Sequence, residues 1–446
     1  MTRLWDIRDS FEGVIPSVVA TTGADGMPNI SYLSHVHYVD ERHVALSNQF
    51  FSKTAENVRH SGMATVMVVD GRTGQQHILE LRFGRSVDGG ELFDRVASHL
   101  AVTSARQGMG EVMKLRSLDI YAVEDCRPVV GPAPAVAPET NAPERHHLDA
   151  AARICATVAA QGDPELMLDG ALAELHRLLS YGNSMVLVPN AEATRLTTIA
   201  SRGYPTFGFG SEVAVGEGTA GLAAAIRRPL RISDMRRGLR YASAVRAVMG
   251  SEAVSPIPFP ALAEARSQLA VPMLGRGRLM GVLFVESERS YAFDHNDEEA
   301  LSLVATQLAI SLLLAERDRS EAGTLPPESH QPALAPVARR IRVRYFPLDG
   351  SIFADDEYII RGLPGRLLQH FLSAYLETGR TDFSNREIRR DRSLQLPDFK
   401  DNLETRLILL RRRLEERGGR IRLLRPERGQ IRLECDGIPE IEIVTG

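Results

Sequence analysis

GPAPAVAPETNAPER at residues 131–145 and SEAGTLPPESHQPALAPVA at residues 320–338 cut the 446-residue chain into three, and the reading of the fold follows from where they fall. Segments this rich in Pro, Ala, Glu and Thr bury too little apolar surface to offset the cost of ordering, so they read as semi-stiff linkers. With its flanks the second seam spans 319–340. Three blocks remain, 1–130, 146–318 and 341–446, each with its own hydrophobic rhythm. A prior of roughly 150 residues per domain agrees with that count. The expectation is a multidomain α+β chain.

Hydrophobic content of 43% and charged content of 25% are those of an ordinary globular protein. The start, MTRLWDIRDSFEG, is charged and has no apolar core of the kind a signal peptide needs. The most apolar stretch, Leu308–Ala315, is short beside the roughly 20 residues that cross a bilayer. A cytoplasmic location without a membrane is therefore expected. Cys126, Cys155 and Cys435 are scattered without metal spacing, which predicts reduced thiols and no metal site. The net charge of −4 hides an asymmetry: Arg380–Arg432 carries 16 basic against 9 acidic residues. A positive tail suits an output that meets an anion.

In the first block Ser17–Thr22, Asn29–Tyr38, His43–Ser47, Ala64–Val69 and Ile78–Phe83 alternate or are β-branched, with Ala24-Asp25-Gly26 and Asp70-Gly71 among the turns between them. That pattern predicts consecutive antiparallel strands in a small barrel, with helices over 52–60 and 90–100. The stretch IPSVVATTGADGMPNISYLSHVHYVDERHVALSNQFFSKTAENVRHSGMATVMVVD resembles the FMN-binding split barrels related to pyridoxamine phosphate oxidase. The resemblance implies that Ser31, Leu33, Ser34, His35 and Val36 line the isoalloxazine ring. It also implies that Ser47, Asn48, Ser52, Lys53 and Thr54 hold the ribityl phosphate, for which hydroxyls, a lysine and a helix N-terminus are apt. Ser31 stands where the oxidases have arginine, and Ser52-Lys53 replaces their Arg-Lys pair. FMN is the expected cofactor, with haem or deazaflavin as alternatives held by relatives of this barrel. His35 and His37 share a strand face, as haem ligands or as ordinary strand histidines. No catalytic residue stands out, and oxidase turnover is not expected.

The second block runs helices over 148–160 and 166–179, strands, a Gly-rich middle, two further strands and a closing helix over 296–316. This order implies an antiparallel sheet flanked by helices. The runs VAVGEGTAGLAAAIRRPLRISDM and SQLAVPMLGRGRLMGVLFVESERSYAFDHNDEEALSLVATQLAISL resemble a GAF domain. The resemblance implies a small-molecule pocket walled by Gly218, Thr219, Gly221, Ser233, Asp234 and Met235 and by the long loop 240–261. Gly216-Glu217-Gly218 lacks the Lys-Ser/Thr of a phosphate loop, so nucleotide hydrolysis is not expected. The closing helix has a stripe Leu301, Val304, Ala305, Leu308, Leu312 and Ala315, for core packing or for a dimer bundle shared with the helix over 148–160.

The third block predicts two strands, helices over 365–378, 384–390 and 397–417, and a hairpin of 421–424 with 430–434. Ser384 with Glu387 forms a capping box, and Gly418 ends the last helix. This order is that of a winged helix-turn-helix. The run DNLETRLILLRRRLEERGGRIRLLRPERGQIRLEC resembles the effector domain of OmpR-type response regulators, whose third helix enters the major groove. The resemblance implies DNA contacts from Lys400, Thr405, Arg411, Arg412, Arg413, Arg425 and Arg428. Phe399, Leu403, Leu407, Leu410 and Leu414 form the core stripe, which leaves Asp401, Thr405, Ile408, Leu409 and Arg412 opposite. Base readers present polar side chains there, so Ile408 and Leu409 mark either thymine-methyl contacts or a protein interface.

Two functions fit these blocks. One is a dimeric one-component regulator in which the first two modules sense a flavin, redox or small-molecule signal and bias a DNA-binding winged helix. The other is a flavin-dependent oxidoreductase whose later domains serve regulation and protein contact.

Overall fold

The computed structural model describes residues 2–11, 15–33, 36–48, 53–106, 115–129, 146–235, 257–321, 340–391, 394, 403–427 and 429–444. The N-terminal block is an antiparallel split barrel of seven strands. They are β1 Ser17–Thr22, β2 Pro28–Leu33, β3 Val36–Asp40, β4 His43–Asn48, β5 Met63–Val69, β6 Gln76–Val87 and β7 Ser117–Pro128, in the order β2-β1-β5-β6-β7-β4-β3. Alternation sets the fold: Val66, Val68, Leu79 and Leu81 are fully buried while their neighbours are not. The run 29–38, read from sequence as one strand, is split into β2 and β3. Strand β7 was not legible; it joins β6 to β4 and so completes the wall. Helix α1, Lys53–Ser61, packs on β1 and β2, and α2 is Glu91–Arg106.

The second block has a six-stranded sheet of β8 Asn183–Pro189, β9 Arg195–Arg202, β10 Glu212–Ala214, β11 Leu230–Ile232, β12 Ser267–Gly275 and β13 Arg278–Ser287, in the order β10-β9-β8-β13-β12-β11. Alternate residues of β13 separate two cores. Leu283 and Val285 pack with α3 His147–Ala160, α4 Pro164–Leu179 and α6 His295–Glu321, while Val282 and Phe284 pack beneath α5 Gly218–Ile226. Helix α4 starts where Asp163 accepts from the Glu165 and Leu166 amides, with Pro164 in the first turn. Helix α6 is long and apolar enough to cross a membrane, yet Leu301, Val304, Leu308 and Leu312 are buried in this core. A Cβ on Gly281 would lie 2.5 Å from the Leu187 carbonyl oxygen, so the centre of the sheet accepts only glycine there without adjustment.

The C-terminal block has a four-stranded sheet, β14 Arg340–Phe346, β15 Ser351–Ala354, β16 Glu357–Ile360 and β20 Ile438–Ile443, with β20 parallel to β14. Helices α7 Leu363–Thr378, α8 Asn385–Arg390 and α9 Leu403–Glu416 follow, with the hairpin β18 Ile421–Leu424 and β19 Gln430–Cys435 extended by β17 Asp382–Ser384. The capping box at Ser384 and Glu387 is present. The last helix was expected from 397; residues 395–402 lie outside those described.

The blocks touch. At the barrel joint Arg8 bonds Asn296 (2.6 Å) and Glu299 (2.7 Å), and Asp9 pairs with His295. At the other joint one hydrophobic core runs from α4 through α9 into the C-terminal sheets.

Candidate functional site

Three regions were singled out by sequence, and the structure treats them differently. In the barrel, Ser31 and Leu33 lie on β2 with Ser31 opposite Val19, Val36 is buried at the head of β3, and Ser47 is buried on β4. Lys53 is exposed at the first turn of α1. Thr54 accepts from the Asn29 amide (3.0 Å), which ties α1 to β2 and leaves the hydroxyl proton free to donate. A lysine ammonium and a hydroxyl at a helix start suit a phosphate dianion, so the described residues fit that group. Ser34, His35, Ser52 and the side chain of Asn48 lie outside the described set.

In the second block Gly218 and Thr219 open α5, and a Cβ on Gly221 would fall 2.1 Å from the Ala214 carbonyl oxygen. This contact presses the helix onto the loop leaving β10. Thr219 bonds the Gln268 side chain (2.5 Å), and Gln268 lies opposite Ile232, the residue before buried Ser233. The structure thus gathers Thr219 and Ser233 around Gln268. Asp234 is half-buried, and the Met235 amide donates to the Arg266 carbonyl (2.7 Å). Much of loop 240–261 lies outside the described residues.

Sequence reasoning missed the polar centre of this face. Glu286 is 1% exposed; it accepts from the Leu262 amide (2.8 Å) and the Gln268 amide (3.0 Å). The Tyr204 hydroxyl faces the same carboxylate outside normal hydrogen-bond geometry. Burial pushes the Glu286 carboxyl above its ordinary range, and burial with the nearby Glu286 charge raises the Tyr204 phenol. A signal did exist. Glu286 follows Val282 and Phe284 at spacing two, which places it on the face beneath α5.

His147, Asp294 and Asp297 offer ligand atoms within 4.8 Å of one another. The geometry is that of a helix start: Asp294 accepts from the Asn296 and Asp297 amides, and Tyr181 donates to Asp297 (2.7 Å).

The third region departs most from expectation. Leu403, Leu407, Leu410 and Leu414 form the inner stripe of α9 as predicted. Thr405, Ile408, Leu409 and Arg412, expected on an open face, are 4%, 2%, 2% and 5% exposed. The α9 helix is enclosed on both sides, because the second block covers its outer face. Arg412 donates to Glu165 (3.0 Å), to Asp169 (2.7 Å) and to the Ile199 carbonyl (2.8 Å), with its guanidinium 5.4 Å from the centre of the Phe209 ring. Arg411 pairs with Glu165, and Arg406 reaches the Pro189 carbonyl (2.7 Å). Arg425 bridges Asp163 (3.0 Å) and Glu404. Arg413 points into its own domain, to the Ile359 carbonyl (2.9 Å) and Glu416 (2.7 Å). The exposure expected of Thr405, Arg411, Arg412, Arg413 and Arg425 is therefore corrected: Thr405 is buried, and protein groups engage the four arginines. Ile408 and Leu409 explain the outcome, since an apolar pair beside arginines is better covered by protein than by water. Lys400 and Arg428 lie outside the described residues.

Comparison with known proteins places the first two blocks. Residues 6–123 match the pyridoxamine 5'-phosphate oxidase family, and residues 163–312 match the GAF domain family. The chain thus carries an N-terminal domain of the pyridoxamine phosphate oxidase type followed by a GAF domain. An FMN-binding protein from Syntrophomonas wolfei is similar at 17% identity, covering 29% of this chain and 88% of that one, with TM-score 0.25. Free methionine-R-sulfoxide reductase from Neisseria meningitidis, solved with its substrate, is similar at 20% identity over 39% of this chain and 90% of that one, with TM-score 0.31. The GAF domain of a phosphoenolpyruvate-protein phosphotransferase from Acinetobacter is similar at 19% identity over 40% and 98%, with TM-score 0.32. No curated protein matches the chain.

Proposed function

We propose that this chain is a cytoplasmic one-component regulator in which an FMN-type barrel and a GAF pocket sense, and a C-terminal winged helix is the DNA-binding output. The observation that carries the reading is the clasp on α9. The helix that would read a duplex is held by the sensor domain through Arg412, Glu165 and Asp169. A regulator needs two arrangements of sensor and output that a signal can bias, and a clasped output helix supplies one of them. FMN would be held by Lys53 and Thr54 and would bring redox chemistry to the barrel; Ser31 and Leu33 would border its ring.

The proposed assembly is a homodimer through α6. Leu303, Ile310 and Leu314 are 51%, 43% and 50% exposed, and with Gln307 they follow a 4-3-4 spacing, the period of a coiled-coil seam. A second reading, in which α9 is a permanent protein-contact helix that never meets DNA, draws support from the buried Ile408 and Leu409. Fluorescence anisotropy of a labelled duplex with the full chain, titrated with salt, separates them. A regulator binds DNA once α9 is freed, with affinity falling steeply as salt rises. Absence of salt-dependent binding from both the native chain and a Glu165→Gln chain would leave the adaptor reading.

A further inference from the structure

The segment between β9 and β10, residues 203–211, has the buried polar centre around Glu286 on one side and α9 on the other. On the pocket side Tyr204 packs in the core beneath α5, near Phe259, with its hydroxyl toward Glu286. Gly208 and Gly210 have positive φ, and side chains of Pro260 and Ile257 occupy the space a Cβ would need, at 2.5 and 2.9 Å. Ile257, 3% exposed, and Pro260 belong to the strand-entry segment that also carries Leu262, whose amide bonds Glu286. On the output side the Gly208 amide donates to Glu416 of α9 (3.0 Å). Phe209, stacked on Phe207, lies under the Arg412 guanidinium. The Cβ position of Gly210 is also 3.7 Å from Ile360 of β16. At the exit Glu212 pairs with Arg195 (2.8 Å) of its own domain and Arg361 of the other.

We propose that residues 203–212 are a coupling element through which the occupancy of the GAF pocket sets the docking of α9, the docked state being the held-off state of the output domain. The proposal rests on the reading of the C-terminal domain as output, and it adds the route and the sign. Tyr204 and the 257–262 segment converge on Glu286, so a ligand that engages that carboxylate must move or hold both. Tyr204 lies in the same segment four residues before Gly208, and Pro260 and Ile257 pack against Gly208 and Gly210. The connection is short because glycine lets both sides approach: the side chains of Ile257 and Ile360 come within 2.9 and 3.7 Å of where a Cβ of Gly210 would stand. Displacing the loop removes the Glu416 bond and the Phe209 contact together. Those are two of the interactions that hold α9, and the packed interface has few intermediate positions in which to keep them.

The test needs no ligand, since substitutions on the pocket side stand in for one. Hydrogen exchange of the full chain is followed at the α9 amides, 403–416, with the α3 and α6 amides as the reference for global opening. Tyr204→Leu and Gly210→Ala should each speed α9 exchange about tenfold or more while α3 and α6 keep their protection. Glu165→Gln, placed on the clasp itself, should speed α9 in the same way. If Glu165→Gln frees α9 but neither loop substitution does, the coupling proposal is overturned. Should Gly210→Ala open α3 and α6 as well, Tyr204→Leu alone decides. Duplex anisotropy on the same variants separates the two layers of the argument. Faster α9 exchange without DNA binding at low salt keeps the coupling and refutes the DNA output.

Discussion

Substitutions around Arg412 should rank in an order that its surroundings fix. Its side chain is 5% exposed and Glu165 is 7% exposed, whereas Asp169 is 59% exposed. Glu165→Gln keeps an acceptor oxygen but removes the buried negative charge, leaving the guanidinium with one exposed carboxylate as its counter-charge, and breaking a buried pair from one side costs about 3–5 kcal/mol. Arg412→Met removes the buried charge itself, and Arg411 still neutralises Glu165. The residual loss is that of hydrogen bonds and shape, about 1–2 kcal/mol. Asp169→Asn removes a solvated partner, worth about 0–1 kcal/mol. The docking equilibrium should shift by more than about a hundredfold for Glu165→Gln and by less than about fivefold for Asp169→Asn. Hydrogen exchange of α9 referenced to α3 measures all three. If Asp169→Asn proves as disruptive as Glu165→Gln, or Arg412→Met more so than either, the seam is not a buried charge clasp and the reasoning fails.

Other consequences are simpler. Lys53→Ala should weaken FMN binding about tenfold or more, read from flavin fluorescence on titration, and an unaltered affinity would remove Lys53 from the phosphate corner. Gly281→Ala should cost about 1–3 kcal/mol of GAF-domain stability, because its Cβ meets the Leu187 carbonyl; a neutral result in denaturant would contradict the sheet packing. Burial holds Glu286 above the usual carboxylate range, so its contribution to stability is present at low pH and lost as pH rises from about 4 through the folded value. Glu286→Gln should flatten that decline in thermal melts taken from pH 4 to 8, and an unchanged slope would mean the carboxylate is solvated. Leu303→Asp with Ile310→Asp should give monomers in sedimentation; a dimer that survives both places the interface elsewhere.

Much of the fold was legible because local pattern and tertiary role agree. Alternation in SVVATT and MATVMVV gives barrel strands whose buried residues are those the period selects. Strand β7, SLDIYAVEDCRP, escaped because Asp119, Glu124 and Asp125 break the apolar rhythm. Its core positions Leu118, Tyr121 and Cys126 are irregularly spaced, since register shifts interrupt its pairing with β6. The GAF pocket was half legible. Glycines and hydroxyls of the family pattern were read, but Glu286 in VESERS was not singled out, because burial of a single carboxylate depends on Tyr204, Gln268 and Leu262 arriving from elsewhere.

Helix α9 shows where one-dimensional reading ends. Its heptad-like stripe of leucines fixes one buried face, and any further apolar residue must then lie on a face the domain itself cannot cover. Ile408 and Leu409 were visible as that surplus, and their sequence context, TRLILLRRRL, surrounds them with arginines. A lone surplus pair says only that something covers it; the arginines say that the cover is anionic. Nucleic acid and an acidic protein face satisfy both statements equally, and only the position of Asp163, Glu165 and Asp169 at the start of α4 decides between them in this state. The same chemistry that would bring α9 to a duplex brings it to the sensor domain. Carboxylates at that helix start therefore act as competitors for the arginines, and a phosphate backbone can bind only by displacing them. Low salt favours the duplex through counterion release, while the mostly buried pair of Arg412 with Glu165 is screened far less. With a duplex present, raising salt should therefore restore the docking of α9, whereas independent contacts would leave docking unchanged or slightly weakened.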